Sequence, residues 1–236
     1  MHPKLRRLAV RSRLYAPVRR ASDKRSVSRH RGVRSFSQFG EDRELLQRLG
    51  PSGLYVDVGA NHPRANSNTY LLYLMGWEGL TVEPILSLCV LHKALRPRDV
   101  CINAAVGSEQ GSALFHEMRP SGLSTFDPTA ASALVDSGRA TEAERYLVSV
   151  LPLAELWTRF FGDRRPNLIS IDTEGFEYEV LQGAELSLLQ PELILLEFSS
   201  AIGDARKELL VGAMEREGYE LAREFGVNGL FERVGG

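Results

Sequence analysis

Only two cysteines occur in 236 residues, Cys89 and Cys101. That number cannot build a disulfide framework, their spacing matches no CxxC or zinc pattern, and a reduced cytoplasmic setting is expected. No apolar run approaches the roughly 18 to 20 residues that a bilayer span requires. The longest, such as Leu193 to Leu196, are far shorter, so no transmembrane segment is predicted. Lysine is scarce beyond residue 35, where only Lys93 and Lys207 occur, and neither falls at a predicted strand end. A G-x-S-x-G nucleophile elbow and an H-E-x-x-H pair are both missing, which leaves serine hydrolases and zincin proteases without support.

Hydrophobic content of 43% and charged content of 25% are ordinary globular values. The net charge of −1 conceals an asymmetry: residues 1–34 hold twelve of the 29 Lys and Arg and a single acid, Asp23. The remainder then carries 17 basic against 29 acidic residues. A basic arm, 1–34, is therefore joined to an acidic domain, 35–236. Arginines interrupt every apolar pair of the arm, which excludes the apolar core of a secretory signal, although its Arg- and Ser-rich composition is like that of an organelle transit peptide. It reads as a solvated tail, with attraction to anionic lipid at a membrane surface, nucleic acid or an acidic glycan as the functional reading.

Beyond residue 35, short β-rich runs alternate with helical ones, the pattern of βα units around a mostly parallel sheet with helices on both faces. Helices are predicted over 38–48 (opened by Ser35 and Gln38 as a capping pair), 67–75, 86–95, 153–161, 177–181 and 205–217, and a short one over 130–135. Strands are predicted over 54–58, 80–82, 100–106, 113–116, 147–150, 168–171 and 193–198. Residues 219–224 and 230–233 form a closing antiparallel hairpin. Between Arg119 and Arg145 the periodicity fades into Ser, Gly, Pro, Thr and Ala, as in an ordered insert or substrate lid.

In an open α/β sheet, ligands gather beyond the carboxyl ends of the strands. Those ends read Asp57/Gly59/Asn61, Glu83, Asn103, Asp172/Glu174 and Glu197. An acid such as Glu83, ending the second strand after the glycine turn of the first, can accept both hydroxyls of an adenosine ribose. The loop Gly59-Ala60-Asn61-His62-Pro63-Arg64 lacks the later glycines of G-x-G-x-x-G, and Pro63 has no amide to offer a pyrophosphate. A dinucleotide is disfavoured. S-adenosylmethionine has a sulfonium cation and no phosphate, so it tolerates a carboxylate-rich crevice with Asp57 beneath it fixing the loop; the plainer role for Asp57 is to cap a turn.

The pieces SQFGED (37–42), VDVGANHP, SNTYLLYLMGWEGLTVEP, CINAAVG, LISIDTEGFEYEVLQG and LLEF, in this order, resemble the FkbM-type S-adenosylmethionine-dependent methyltransferases. The likeness covers roughly residues 36–200. It implies a class I methyltransferase sheet and O-methylation of a sugar, glycan or secondary-metabolite hydroxyl, with Ser37, Gln38 and Glu41 folding over the amino-acid end of the cofactor. The arm has no counterpart in the pattern.

A hydroxyl must lose its proton as it attacks the methyl group, which calls for a general base or an acidifying metal. Asp172 is the first candidate base, with Glu174 behind it and His62 as a second; helix capping and loop hydrogen bonding are the duller roles for these residues. Asp172, Glu174 and Glu197 could together bind Mg2+. Asn103, with Ala104 beside it, is expected to face the adenine. Trp77, Trp157, Tyr70 and Tyr73 read as core. A nucleic-acid methyltransferase using the basic arm is the principal alternative, weakened by the missing Pro-Pro-aromatic motif after the strand at 168–171 and the missing paired lysines. A nucleoside-binding module without turnover is the other.

Overall fold

The computed structural model describes residues 34–198 and 204–235. Apart from Arg34, the basic arm lies outside the described residues, and so do residues 199–203.

The elements run α1 (Glu41–Leu49), β1 (Leu54–Val58), α2 (Tyr70–Met75), β2 (Glu78–Val82), α3 (Leu86–Leu95), β3 (Val100–Ile102), β4 (Ala105–Val106), β5 (Gly111–Arg119), α4 (Pro128–Asp136), β6 (Thr141–Leu151), α5 (Leu153–Phe161), β7 (Leu168–Ile171), α6 (Glu177–Gly183), α7 (Leu186–Leu189), β8 (Leu193–Glu197), α8 (Asp204–Arg216), β9 (Tyr219–Phe225) and β10 (Asn228–Arg233). A single 3-10 turn, Ser121–Leu123, follows β5. Seven strands form the main sheet in the order β3-β2-β1-β7-β8-β10-β9. The first five are parallel, and β10 and β9 close the sheet as an antiparallel hairpin.

Period-two alternation sorts the strand side chains onto two faces. Val56, Val58, Ile169, Ile171, Ile194 and Leu196 point to one, where α5, α6, α7 and α8 supply Trp157, Val180, Leu186 and Met214. Tyr55, Leu168, Leu193 and Leu195 point to the other, covered by α1 and α2 through Leu45, Tyr70 and Tyr73 with Trp77. The four aromatics assigned to the core are all buried there. Asp57 shares a face with Tyr55, and its neighbours are considered below.

Two expectations change. The apolar run 100–106 is not one strand: it leaves the main sheet after Ile102, and Ala105–Val106 pair with β6 in a second, three-stranded sheet ordered β4-β6-β5. The weakly patterned insert is chiefly this sheet's long β5–β6 hairpin, with α4 at its tip. Its inner face, Phe115, Val148 and Val150, packs on Ile85 and Leu88 around α3. At the amino end, α1 begins three residues later than expected. Ser35 caps no backbone amide, whereas the Ser37 hydroxyl oxygen accepts from the Asp42 amide at 3.3 Å; both serine hydroxyls donate to the Asp42 carboxylate, at 2.7 and 3.1 Å, and so does the Phe36 amide at 2.6 Å. Cys89 of α3 and Cys101 of β3 are buried free thiols whose sulfurs lie 3.1 Å apart.

Candidate active site

Strand register builds the site. Ile102 pairs with Val82, Val82 with Val58, Val58 with Ile171, and Ile171 with Leu196. One residue further along each strand come Asn103, Glu83, Gly59, Asp172 and Glu197, side by side along the carboxyl edge. A cavity of about 570 Å³ opens over this edge, with the β5–β6 hairpin and the 3-10 turn as its far wall.

Gly59 is at φ +74°, and a Cβ there would sit 1.7 Å from the Asp172 carbonyl oxygen, so only glycine lets β1 and β7 turn out together. Its amide and that of Ala60 donate to the Val82 carbonyl. Asn61 is left-handed as well, at φ +42°. It is held from three directions: its amide donates to Glu83 at 2.7 Å, its carbonyl meets His92 Nε2 at 2.9 Å, and its side-chain oxygen accepts from Ser121 at 3.0 Å. Non-glycine residues in this conformation persist only where their surroundings over-determine them.

Glu83 is 2% exposed. One carboxylate oxygen accepts from Asn61 and the other from the Ile85 amide, each at 2.7 Å, and burial outweighs both bonds and pushes its pKa up to about 8. Each oxygen keeps a lone pair for a further donor. Asp57 accepts a hydrogen bond from Thr69, whose hydroxyl in turn accepts from Arg96 at 2.8 Å. Burial raises the Asp57 pKa, opposed by the Arg96 charge and the Thr69 bond. Arg96 is fully buried, bonded to Asp99 at 2.6 Å and to the Tyr55 hydroxyl at 2.7 Å. Asp57 thus joins the glycine loop to a buried ionic network behind it, while also lining the cavity. Sequence reasoning missed His92, in the last turn of α3, and Arg96, just past its end, because no motif surrounds them.

Asp172, Glu174 and Glu197 converge as expected: each presents a carboxylate oxygen within 4.8 Å of the others. Burial raises all three pKa values, and mutual repulsion raises Glu174 and Glu197 further. Asp172 and Glu197 lie close enough that ionising both is unfavourable, so the pair favours holding one proton. Glu197 Oε2 is buried without a hydrogen-bond partner. Glu174, at φ +51°, is held by Thr125, whose hydroxyl donates to its carbonyl at 2.8 Å. Glu177 organises the loop beneath: one oxygen accepts from the Thr173 amide and hydroxyl and from the Gly175 amide, and Arg206 reaches the other at 3.4 Å. Its spacing four residues after Thr173 was the available signal.

The remaining candidates divide. Gln38, Asn61, His62 and Ala104 line the cavity; Glu41 and Asn103 do not. Glu41 is fully buried and accepts from the Phe39 amide at 2.8 Å and from Asn228 at 2.6 Å, fastening the amino-terminal segment to β10. Asn103 donates to the Glu83 and Pro84 carbonyls at 2.9 and 2.7 Å, holding the exit from β3 against β2. His62 Nδ1 accepts from the Arg64 and Ala65 amides at 3.2 and 3.0 Å, so the neutral ring carries its proton on Nε2. Burial first, then Arg64, lowers its pKa.

Residues 57–221 match the model of the methyltransferase FkbM domain, well over half of the chain. The protein belongs to the FkbM methyltransferase family. It is an S-adenosylmethionine-dependent methyltransferase with a class I α/β fold. No curated protein matches the chain. Among solved structures, a TehB-like SAM-dependent methyltransferase from Corynebacterium glutamicum is 12% identical, with 92% of this chain and 99% of that chain covered and a TM-score of 0.46. A 1,6-didemethyltoxoflavin-N1-methyltransferase from Burkholderia thailandensis is 13% identical, covering 92% and 87%, with a TM-score of 0.43. The site suits the cofactor on its own terms. It offers nucleoside-scale volume, a buried carboxylate with spare lone pairs at Glu83, a bare glycine at the loop, and acids rather than amide nests around a cation. Among the described residues no helix is long and apolar enough to cross a membrane.

Proposed function

We propose that this methyltransferase acts on oxygen, methylating a hydroxyl of a sugar, glycan or secondary metabolite. The observation that supports this best is the cluster of three proton-hungry carboxylates, Asp172, Glu174 and Glu197, along the cavity edge from Glu83. An alcohol holds its proton tightly at neutral pH, and a buried carboxylate whose pKa has been raised toward neutrality is a better acceptor for it than an ordinary one.

In this reading Glu83 accepts the ribose hydroxyls, Ala104 contacts the adenine, Gln38 and Asn61 lie toward the amino-acid end, and Asp57 steadies the loop from behind. Glu41 and Asn103 act through the backbone segments they hold. Bound S-adenosylmethionine supplies a methyl group made electrophilic by its sulfonium. Asp172 takes the hydroxyl proton; Glu197 keeps its own and donates to Asp172, fixing the orientation of that carboxylate. His62 is the alternative catalytic group, able to donate through Nε2–H to the acceptor while its Nδ1 is held by two backbone amides. Phe115, Phe126 and Phe176, tilted against one another at centroid distances of 4.8 and 5.2 Å, offer an apolar wall for the acceptor. The carboxylates of Asp172, Glu174 and Glu197 have the donor chemistry for Mg2+, and the unpartnered Glu197 Oε2 favours that second mode, in which the ion would acidify the hydroxyl.

Incubation with methyl-labelled donor and a cell extract tests the proposal. Label in an ether of a carbohydrate or small metabolite is the expected result, and label confined to nitrogen, carbon or nucleic acid would overturn it. Abolition of transfer by a chelator would select the metal mode.

A further inference from the structure

The cavity is lined by five acids, Asp57, Glu83, Asp172, Glu174 and Glu197, and by one permanent cation among the described residues, Arg139. Its placement is built. Where α4 ends, Gly138 is left-handed at φ +69°, and the Arg139 and Ala140 amides both donate to the Leu134 carbonyl, a closed helix terminus of the Schellman type. Ala140 and Ala131 are buried against Met118, which anchors this corner to the β5–β6 hairpin. The hairpin is tied over the site by the Ser121–Asn61 and Thr125–Glu174 hydrogen bonds.

The backbone of Arg139 is therefore fixed, yet its exposed guanidinium has no hydrogen bond or ion pair among the described residues. Three arginines elsewhere in the fold are engaged: Arg96 with Asp99, Arg206 with Glu177 and Arg145 with Glu142; what sets Arg139 apart is its place in the cavity wall. Arg139 stands on the side of the three clustered carboxylates: the hairpin whose corner carries it is tied through Thr125 to Glu174, whereas Asp57 is reached by Arg96 through Thr69 from behind the glycine loop. A free, planar, five-donor group on a rigid corner of a site is suited to bidentate recognition of a carboxylate. In an acid-lined cavity it also offsets the repulsion that an anionic substrate meets.

We infer that Arg139 is a specificity residue that recognises an acceptor bearing a carboxylate near the methylated hydroxyl, as in a sugar acid. This rests on the O-methylation proposed above and narrows its substrate class. The test is binding of methyl glucuronide against methyl glucoside by saturation-transfer NMR, with and without S-adenosylhomocysteine, in EDTA so that no divalent ion bridges sugar and acids. The wild type is expected to bind the glucuronide at least about tenfold more tightly, as one charge-assisted contact gives. Arg139→Gln removes the preference, Arg139→Lys restores part of it, and both keep the wild-type affinity for S-adenosylhomocysteine, showing that the fold and cofactor pocket are intact. Equal binding of the two sugars, binding of neither, or a preference that survives in Arg139→Gln would overturn the inference. Failure of S-adenosylhomocysteine to bind any of the proteins would instead strike the cofactor assignment, and the sugar comparison without it would still decide the role of Arg139.

Discussion

Replacing Glu83 with glutamine removes a carboxylate that two backbone amides and, in the proposed complex, two ribose hydroxyls share. In the free protein its pKa is pushed up to about 8, against an ordinary 4.5. A folded-state pKa above the unfolded one means that the folded protein holds the proton more tightly. Stability from this group is fully present below pH 4.5 and is lost as pH rises through about 8, by up to about 1.4 kcal/mol per unit. Cofactor binding has the opposite sense. Ribose hydroxyls donate to the ionised form, so below pH 8 binding must displace a proton, and affinity should fall up to about tenfold for each unit the pH drops. Hydrogen bonds to a charged group contribute about 1.5 to 3 kcal/mol, and glutamine keeps one acceptor of two, so Glu83→Gln should weaken binding roughly ten- to a hundredfold at pH 8. It should also flatten the pH dependence of binding. Calorimetric titration with S-adenosylhomocysteine between pH 6 and 9, in buffers of different ionisation enthalpy, measures both affinity and released protons. Wild-type affinity that is indifferent to pH, together with an unaltered Glu83→Gln variant, would refute the reasoning.

Asp172→Asn should retain cofactor affinity within a few-fold and lose turnover by at least about a hundredfold, the low end for a general base; single-turnover kinetics on the identified acceptor would show it. Arg96→Met leaves Asp99 buried without its cation, at a cost of about 3 to 5 kcal/mol, and denaturant unfolding should register this as a lower midpoint. Adding Asp99→Asn to that variant should recover part of the loss. Gly59→Ala forces a Cβ into the Asp172 carbonyl, so either its melting temperature or its cofactor affinity should collapse, whereas Gly76→Ala, where a Cβ meets nothing within 4 Å, should show only the modest cost of its positive φ.

The helices at 86–95 and 153–161 and the strand at 168–171 agree with the sequence reading residue for residue, because each couples a clean apolar pattern to a proline or polar boundary. The 100–106 run was harder: a single polar residue, Asn103, interrupts it, and that one break is where the chain changes sheet. Residues 141–146 are mostly polar and exposed, so their strand character comes from pairing with β5 rather than from their own propensity. The carboxyl-edge acids were legible because the topology places every parallel strand end on one side. The partners that decide what those acids can do were not: His92 and Arg96 point inward from the carboxyl end of α3, and Glu177 opens α6 against a loop whose hydrogen bonds exist only once it has folded. Arg139 was hidden in the unpatterned insert for the same reason.

A crystal structure of the protein with S-adenosylhomocysteine bears most directly on the central claim. The account places the ribose hydroxyls within hydrogen-bond distance of Glu83 and the sulfur facing Asp172, with the loop at Gly59 between them. A ribose bound away from Glu83, or a sulfur turned away from the three carboxylates, would contradict it.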